Sequence, residues 1–507
     1  MAEVAFRSAA GPVEYCHGLP YHPTYGHTQR PGAVDRAADA AGAFEVRMNG
    51  LGFRGPEWTG RRPGVSRLVL LGDSFATARG APEPETLQAR AAARLAGRTG
   101  VEWEGFGLGA ENWGTAQELL ALRDHGRRLR PDVVVLAFFT GNDVVNNAPS
   151  FHARSFWGQL DLTRPYLVPG AGEALEARWP HPVRAHLRRW SVLFRWTERR
   201  LALRFPPRPS GAFERLSRGE LPYLHWEVFV SPPPPAWSEA WRITRALIRA
   251  VRDEVRALGA RFVVVAVPQT EQVERNATVV GLERWCRLSL GVDVPLGDHL
   301  DWNAPSGRLR ELAASEGIEF FDLLPVLREE TRSRGRTCFT PDWHFTREGY
   351  RFVGDRIGEF LAGGGQEPAL EREPSPVPAL LADEAGLDAT AGPPGWQVGH
   401  AVAGWRAGAV LLEEGALLVL PAPRPGFRLH AQGVIPADVP PPLELELAVD
   451  FQTVGRTRPV AAGPWAFASD GPVTPVPGRH VLVSVKAAWP PGARPGLIHL
   501  SRLWFGP

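Results

Sequence analysis

The sequence predicts a doubly wound, parallel α/β domain, interrupted by an insertion and followed by an all-β sandwich. Three observations carry this. From Arg67 onward, short apolar runs alternate with amphipathic stretches. Residues 144–236 suspend that alternation, and beyond a tract rich in Pro, Gly and acid the pattern turns to period two. A chain of 507 residues is also too long for one compact domain.

Taken in order, RLVLL (67–71) reads as the first strand and ETLQARAAARLAGR (85–98) as a helix. A short strand near VEWEGF follows, then a helix over TAQELLALRDHG (115–126). DVVVLAFF (132–139) is an almost unbroken apolar run, as a strand buried on both faces requires. Ser238 is placed to cap a helix that carries Trp241, Leu247, Ile248, Val251, Val255 and Leu258 on one face and ends before Gly259. RFVVVAVP (261–268) and IEFFDL (318–323) read as the fourth and fifth strands, and a final amphipathic helix covers about 346–362.

The insertion holds the tract SPPPP (231–235) and a basic amphipathic segment, 183–204. Its predicted apolar face holds Val183, Leu187, Trp190, Phe194 and Leu201. The plainer reading is a helix packed on the catalytic domain with its arginines in water. The sharper one is a lid, or a patch for an anionic or membrane-surface partner. Residues 363–395 read as a linker, and 396–507 as the sandwich, with strands such as LELELAV (443–449) and HVLVSVK (480–486). The expected division is therefore an N-terminal segment (1–60) packed on a catalytic domain (61–362), the linker and the sandwich. Five tryptophans fall in the sandwich: Trp396, Trp405, Trp465, Trp489 and Trp504. Some belong to its core, and an exposed pair could stack on sugar rings.

Composition excludes several classes. A net charge of +2 gives no argument for a nucleic-acid partner, and no run approaches the ~18 apolar residues of a membrane span. Cys16, Cys286 and Cys338 cannot all pair and lack metal or redox spacing. The N-terminus, MAEVAFRSAAGPVEYCHGL, lacks the apolar core of a signal peptide. The literal expectation is a cytoplasmic protein, or an exported one if the start codon is mis-assigned. Oligomeric state stays open.

Three short segments carry chemistry. RLVLL runs into Gly72-Asp73-Ser74-Phe75, which puts a serine at the carboxyl end of the first strand, where doubly wound sheets bind ligands. Pro341-Asp342-Trp343-His344 precedes the last helix and offers a base with an orienting acid, which a serine nucleophile needs. The plainer reading is Asp342 as a helix cap and His344 as a surface residue. Thr140-Gly141-Asn142-Asp143 follows the apolar strand, where an amide can donate to an oxyanion, although it also makes a good turn.

Together these segments resemble the SGNH (GDSL-like) hydrolase superfamily, and in particular its bacterial carbohydrate-esterase-like members. GDSF matches the first block, GND (141–143) the third and PDWHFTREGYRFVGDRIGEFL the last. NGLGFRGPEW (49–58) and GAPEPETLQARAAARL (80–95) look like flanking segments of many bacterial members. The resemblance covers about 45–143 and 237–362. It implies a flavodoxin-like three-layer fold and a catalytic triad of Ser74, His344 and Asp342. It also implies an oxyanion hole from the Ser74 N–H, Asn112 and Asn142, supported by Asp73, Gly109 and Gly141.

Two departures stand out. Asn112 in GLGAENWGTAQELL aligns where the second block normally has glycine, so it needs a conformation that glycine adopts more easily. The last block is Asp-x-His rather than Asp-x-x-His, a shorter spacing also found in members similar to polysaccharide acetyl-transfer and deacetylation proteins.

The activity implied is hydrolysis of an O-acylated carbohydrate or similar small-molecule or glycan ester. An O-acyltransferase acting on a glycan and a lipid or small-ester esterase are the alternatives. A non-enzymatic carbohydrate-binding protein is disfavoured by the intact Ser74, Asn142, Asp342 and His344. There is no metal motif, and the mechanism needs no cofactor.

Overall fold

The computed structural model describes residues 19–39, 42–151, 154, 163–204, 221, 224–274, 300–334, 338–340, 343–363, 387–388, 402–406, 409–412, 416–421, 423–437, 442, 444–450, 452–459, 461–474, 480–488 and 498–506. Its centre is a five-stranded parallel sheet: β1 (Val65–Gly72), β2 (Glu102–Gly109), β3 (Val133–Phe139), β4 (Arg261–Val267) and β5 (Glu319–Asp322). The spatial order is β5-β4-β3-β1-β2, with the first strand inside and the chain winding outward in both directions.

The apolar runs are continuous because both faces of the sheet are covered. Leu68, Leu70, Val133, Val135, Val263 and Val265 point to one core, which is closed by α1 (Leu87–Thr99), α7 (Leu323–Arg334) and α8 (Arg347–Leu361). Val69, Leu71, Val134, Leu136, Val264 and Ala266 point to the other. That core is closed by α2 (Thr115–Leu129), α5 (Pro235–Ala257) and α6 (Ala304–Glu316). The period-two alternation of strand side chains thus fills two layers from one sheet.

The five strands and the helices α1, α2 and α8 fall within a few residues of the positions that periodicity predicts. Thr86 caps α1 and Thr346 caps α8, each accepting the backbone N–H three residues on. The cap assigned to Ser238 is a correction. α5 begins at Pro235, three residues earlier, and the Ser238 hydroxyl instead faces the carbonyls of Pro233 and Pro234. Proline at the first helical position has its φ already set and its missing N–H costs nothing there, so the helix can start before the serine. Gly259 does follow the end of α5, at φ +73°.

The segment 183–204 departs most from expectation. It is two helices, α3 (Pro182–Trp190) and α4 (Val192–Arg204). Ser191 leaves helical space (φ −119°, ψ 116°), and its hydroxyl accepts the N–H of Phe194, capping α4. Four of the five residues of the predicted apolar face, Val183, Leu187, Trp190 and Leu201, are exposed, and Phe194 is half-buried.

The C-terminal strands are antiparallel and form two sheets, as a sandwich requires. One contains β6 (Val402–Arg406), β7 (Ala409–Leu412), β9 (Arg428–Ile435), β12 (Gly463–Ala468) and β14 (Ile498–Gly506). The other contains β8 (Ala416–Pro421), β10 (Glu444–Val449), β11 (Gln452–Thr457) and β13 (His480–Ala488). Leu387–Asp388, inside the stretch read as linker, pairs with β14. Alternate residues of these strands, including Leu418, Leu420, Leu445, Leu447, Val481 and Val483, fill the core between them. Trp465 is buried there, and Trp504 stacks on His430 at 5.1 Å with the Arg502 guanidinium also over its ring. Trp396 and Trp489 lie outside the described residues, as do Cys16 and Cys286.

Candidate active site

Ser74 and Asn142 follow the carboxyl ends of two central strands, and His344 meets Ser74 there. β1 ends at Gly72, and the chain turns at once into a short helix, Ser74–Thr77. Asp73 caps it, its carboxylate accepting the Phe75 N–H at 3.0 Å. This presents Ser74, half-buried, as the first helical residue, with a backbone N–H that has no intrahelical acceptor. The neighbouring strand must come close for this turn to fit. A Cβ on Gly109 would collide with the Gly72 carbonyl and with Ala76, so glycine is required there by approach rather than by φ. A side chain on Gly141 would strike the Phe139 ring.

His344 arrives from the other end of the domain. Its Nε2 lies 2.7 Å from Ser74 Oγ across 270 residues of sequence. The backbone pins it: Thr340 donates to the His344 carbonyl through its N–H at 2.7 Å and its hydroxyl at 2.9 Å. Trp343 sits at φ +67°, a conformation that costs a bulky residue energy and is held here by the turn around it. Phe75 packs beside the imidazole at 5.4 Å. The insertion borders this corner through His225, whose ring meets Trp343 edge-on at 6.0 Å. Asp342 lies outside the described residues.

Asn142 follows β3. Its Nδ2 donates to Asp73 at 2.9 Å, which orients the amide beside the turn that carries Ser74. Complete burial pushes the Asp73 carboxyl above its ordinary range, against the hydrogen bonds from Phe75 and Asn142. Two more carboxyls lie behind it. Burial, and then the charge of Asp73, hold Glu118 well above the usual range. Burial, followed by the charges of Glu118 and Asp73, does the same to Asp143.

These raised values make a stability statement. Glu118 keeps its proton in the folded protein at pH values where the unfolded chain has already lost it. Stability is therefore lost as pH rises above the ordinary carboxylate range, about 4, through the folded value. Glu118→Gln, of nearly the same shape and never charged, is expected to flatten the fall of Tm as pH rises above the ordinary carboxylate range. A Tm profile parallel to wild type would mean that Glu118 is ionised in the fold.

Asn112 stands at φ +61°, inside the left-handed region that glycine adopts more easily. Its carbonyl accepts from the buried Arg164, whose guanidinium also reaches the Asn146 carbonyl at 3.3 Å. Asn146 Nδ2 donates to Asn112 Oδ1 at 3.1 Å and to the Trp113 carbonyl at 3.1 Å. Sequence reasoning missed this bracing. Arg164 and Asn146 belong to the insertion, where no spacing relates them to the second block. Glu111 is held from the other side by Arg79 and Gln29. Among the described residues no cluster of His, Cys, Asp and Glu is arranged to hold a metal ion. No described helix is long and apolar enough to cross a membrane.

Comparison with known proteins agrees with this arrangement at the level of family. The GDSL-like lipase/acylhydrolase family profile matches residues 70–352, from the first strand into the last helix. No curated protein sequence matches the chain. Similar solved structures include an acetyl xylan esterase, AlAXEase (14% identity, 58% of this chain and 98% of that one, TM-score 0.30). A putative GDSL-like lipase from Parabacteroides merdae is 10% identical over 61% of this chain and 99% of its own, with a TM-score of 0.31. A two-domain esterase (CEX) active on acetylated mannans is 11% identical over 87% of this chain and 91% of its own, with a TM-score of 0.28. The strand–turn–serine, the downstream histidine and a family match spanning more than half of the sequence lead to one conclusion: the chain belongs to the GDSL-like lipase/acylhydrolase family and is an enzyme acting on ester bonds.

Proposed function

We propose that the chain removes O-acyl groups from carbohydrate through an acyl-enzyme on Ser74. The observation that carries this reading is the 2.7 Å contact between His344 Nε2 and Ser74 Oγ at the mouth of the sheet. In the proposed reaction Ser74 attacks the ester carbonyl while His344 takes the hydroxyl proton, with Asp342 as its orienting acid. The oxyanion is met by the Ser74 N–H, the Asn112 N–H and the Asn142 side chain. Collapse of the intermediate returns the proton from His344 to the leaving alcohol. Water activated by the same histidine then releases the acid and regenerates Ser74.

The appended sandwich, a form shared by accessory sugar-binding modules, supports a carbohydrate substrate. Sugar contact there would use residues other than Trp465 and Trp504, which the fold already occupies. A panel of p-nitrophenyl esters from acetyl to palmitoyl, run beside acetylated polysaccharide with acetate release measured, tests the proposal. Turnover of the acetyl ester and of the polymer is expected. A preference for palmitoyl would make it a lipid esterase, and acetyl transfer to sugar without net hydrolysis would make it an O-acyltransferase.

The bracing of Asn112 yields a sharper expectation. Arg164→Met frees the loop to leave the left-handed conformation, and kcat should fall roughly 10–100-fold through a misplaced donor. Adding Asn112→Gly should recover most of that loss, because glycine takes φ near +60° without strain. A double variant as slow as Arg164→Met alone would mean that Arg164 acts in some other way.

A further inference from the structure

The α3–α4 hairpin is built inside out. Its buried contact is an ion pair: Arg188, 2% exposed, grips Glu198 through Nε at 2.5 Å and Nη2 at 2.7 Å. Six of its apolar residues are exposed instead. Val183 is 74% exposed, Trp190 59% and Leu201 55%, with Leu187 exposed between the first two. Six of the nine large hydrophobic residues exposed among the described residues lie in these 23 positions. On α3, Val183, Leu187 and Trp190 follow i, i+4, i+7 and form one stripe, while Arg188 and the half-buried Ala185 lie on the opposite side. Soluble helices bury the stripe and leave ion pairs at the surface, so this hairpin is oriented for an apolar surface outside the molecule.

Charge identifies that surface. Residues 182–204 carry seven arginines and one glutamate in a chain whose net charge is only +2. Arg184 borders the α3 stripe, 4.0 Å from Glu198, and Arg189 and Arg200 set their guanidinium groups over the rings of Trp190 and Trp196; all three arginines are exposed. A second copy would bring two strongly cationic hairpins together, which like-charge repulsion opposes. A hydrated anionic polymer would satisfy the arginines but leave Val183, Leu187 and Leu201 facing water. An anionic bilayer surface satisfies both, with acyl chains for the stripe and phosphates for the flanking guanidiniums.

We propose that the hairpin of α3 and α4 docks the enzyme on an anionic lipid surface. This is independent of which ester Ser74 cleaves. The test is sedimentation of the full chain with phosphatidylcholine vesicles, with and without phosphatidylglycerol. Wild type should partition onto the phosphatidylglycerol vesicles at least tenfold more than onto phosphatidylcholine alone. Val183→Ser with Leu187→Ser should lower that partition about tenfold or more, and Arg184→Ser with Arg189→Ser should abolish the preference for the anionic lipid. Unchanged turnover of p-nitrophenyl acetate in solution shows that each variant is folded. The proposal is overturned if wild type stays in the supernatant with both vesicles, or if the serine variants bind as well as wild type. A concentration-dependent dimer that Leu187→Ser dissolves, seen by analytical ultracentrifugation, would overturn it in favour of self-association.

Discussion

Ser74→Ala is expected to lower turnover of p-nitrophenyl acetate by about 10⁴–10⁶-fold, since a nucleophile and base acting as a unit lose most of their rate when either is removed. The fold should barely respond. Ser74 is half-buried, the short helix is capped by Asp73 rather than by the serine, and the hydroxyl's contact is with His344 at the site. Circular dichroism and Tm close to wild type should therefore accompany the loss. Wild-type activity in this variant would place the nucleophile elsewhere and remove the centre of the proposed mechanism. It would leave the lipid-docking hairpin untouched, since vesicle binding does not pass through Ser74.

Asn142→Ala is expected to cost less, on the order of 10²–10³ in kcat with a small change in KM, as the loss of one oxyanion donor does. The same side chain donates to buried Asp73, so its removal also leaves that carboxyl with one partner fewer. A modest loss of Tm should follow. The kinetic split separates the two roles: a donor felt only in the transition state lowers kcat and kcat/KM equally. If Tm falls but kcat does not, Asn142 serves the turn and not the oxyanion. Asp342→Asn gives a companion measurement. A loss between those of Ser74→Ala and Asn142→Ala is expected if Asp342 orients His344, and near-wild-type rate would assign that task to another group.

Much of the fold was legible because the relevant signals are local. The run at 132–139 reads as a buried strand because it is almost unbroken and apolar, and 85–98 as a helix because it is amphipathic; the Thr86 cap that starts that helix at Leu87 shows only in the structure. The α5 boundary was misjudged for an equally local reason. A proline and a serine both start helices well, and only the packed structure shows which one this helix uses. Only the plainer reading of 183–204, a helix packed on the catalytic domain, fails, because amphipathicity shows that a stripe exists and not what it faces. One residue, Ser191, was enough to break the segment in two.

What the sequence determined by itself is the chemistry available: a serine after the first strand, an amide after the third and a histidine before the last helix, in an order shared with one family. Tertiary structure alone decided how those groups meet. The winding of five parallel strands brings His344 to within 2.7 Å of Ser74, a closeness that no local spacing encodes. It also carries Arg164 from the insertion to the Asn112 carbonyl, so that an asparagine can hold a glycine's conformation. Local periodicity and capping depend on neighbours within one or two turns and can be read along the chain. Contacts between segments far apart in sequence depend on loop closure and on the packing of both faces of the sheet, which exist only once the whole domain has formed.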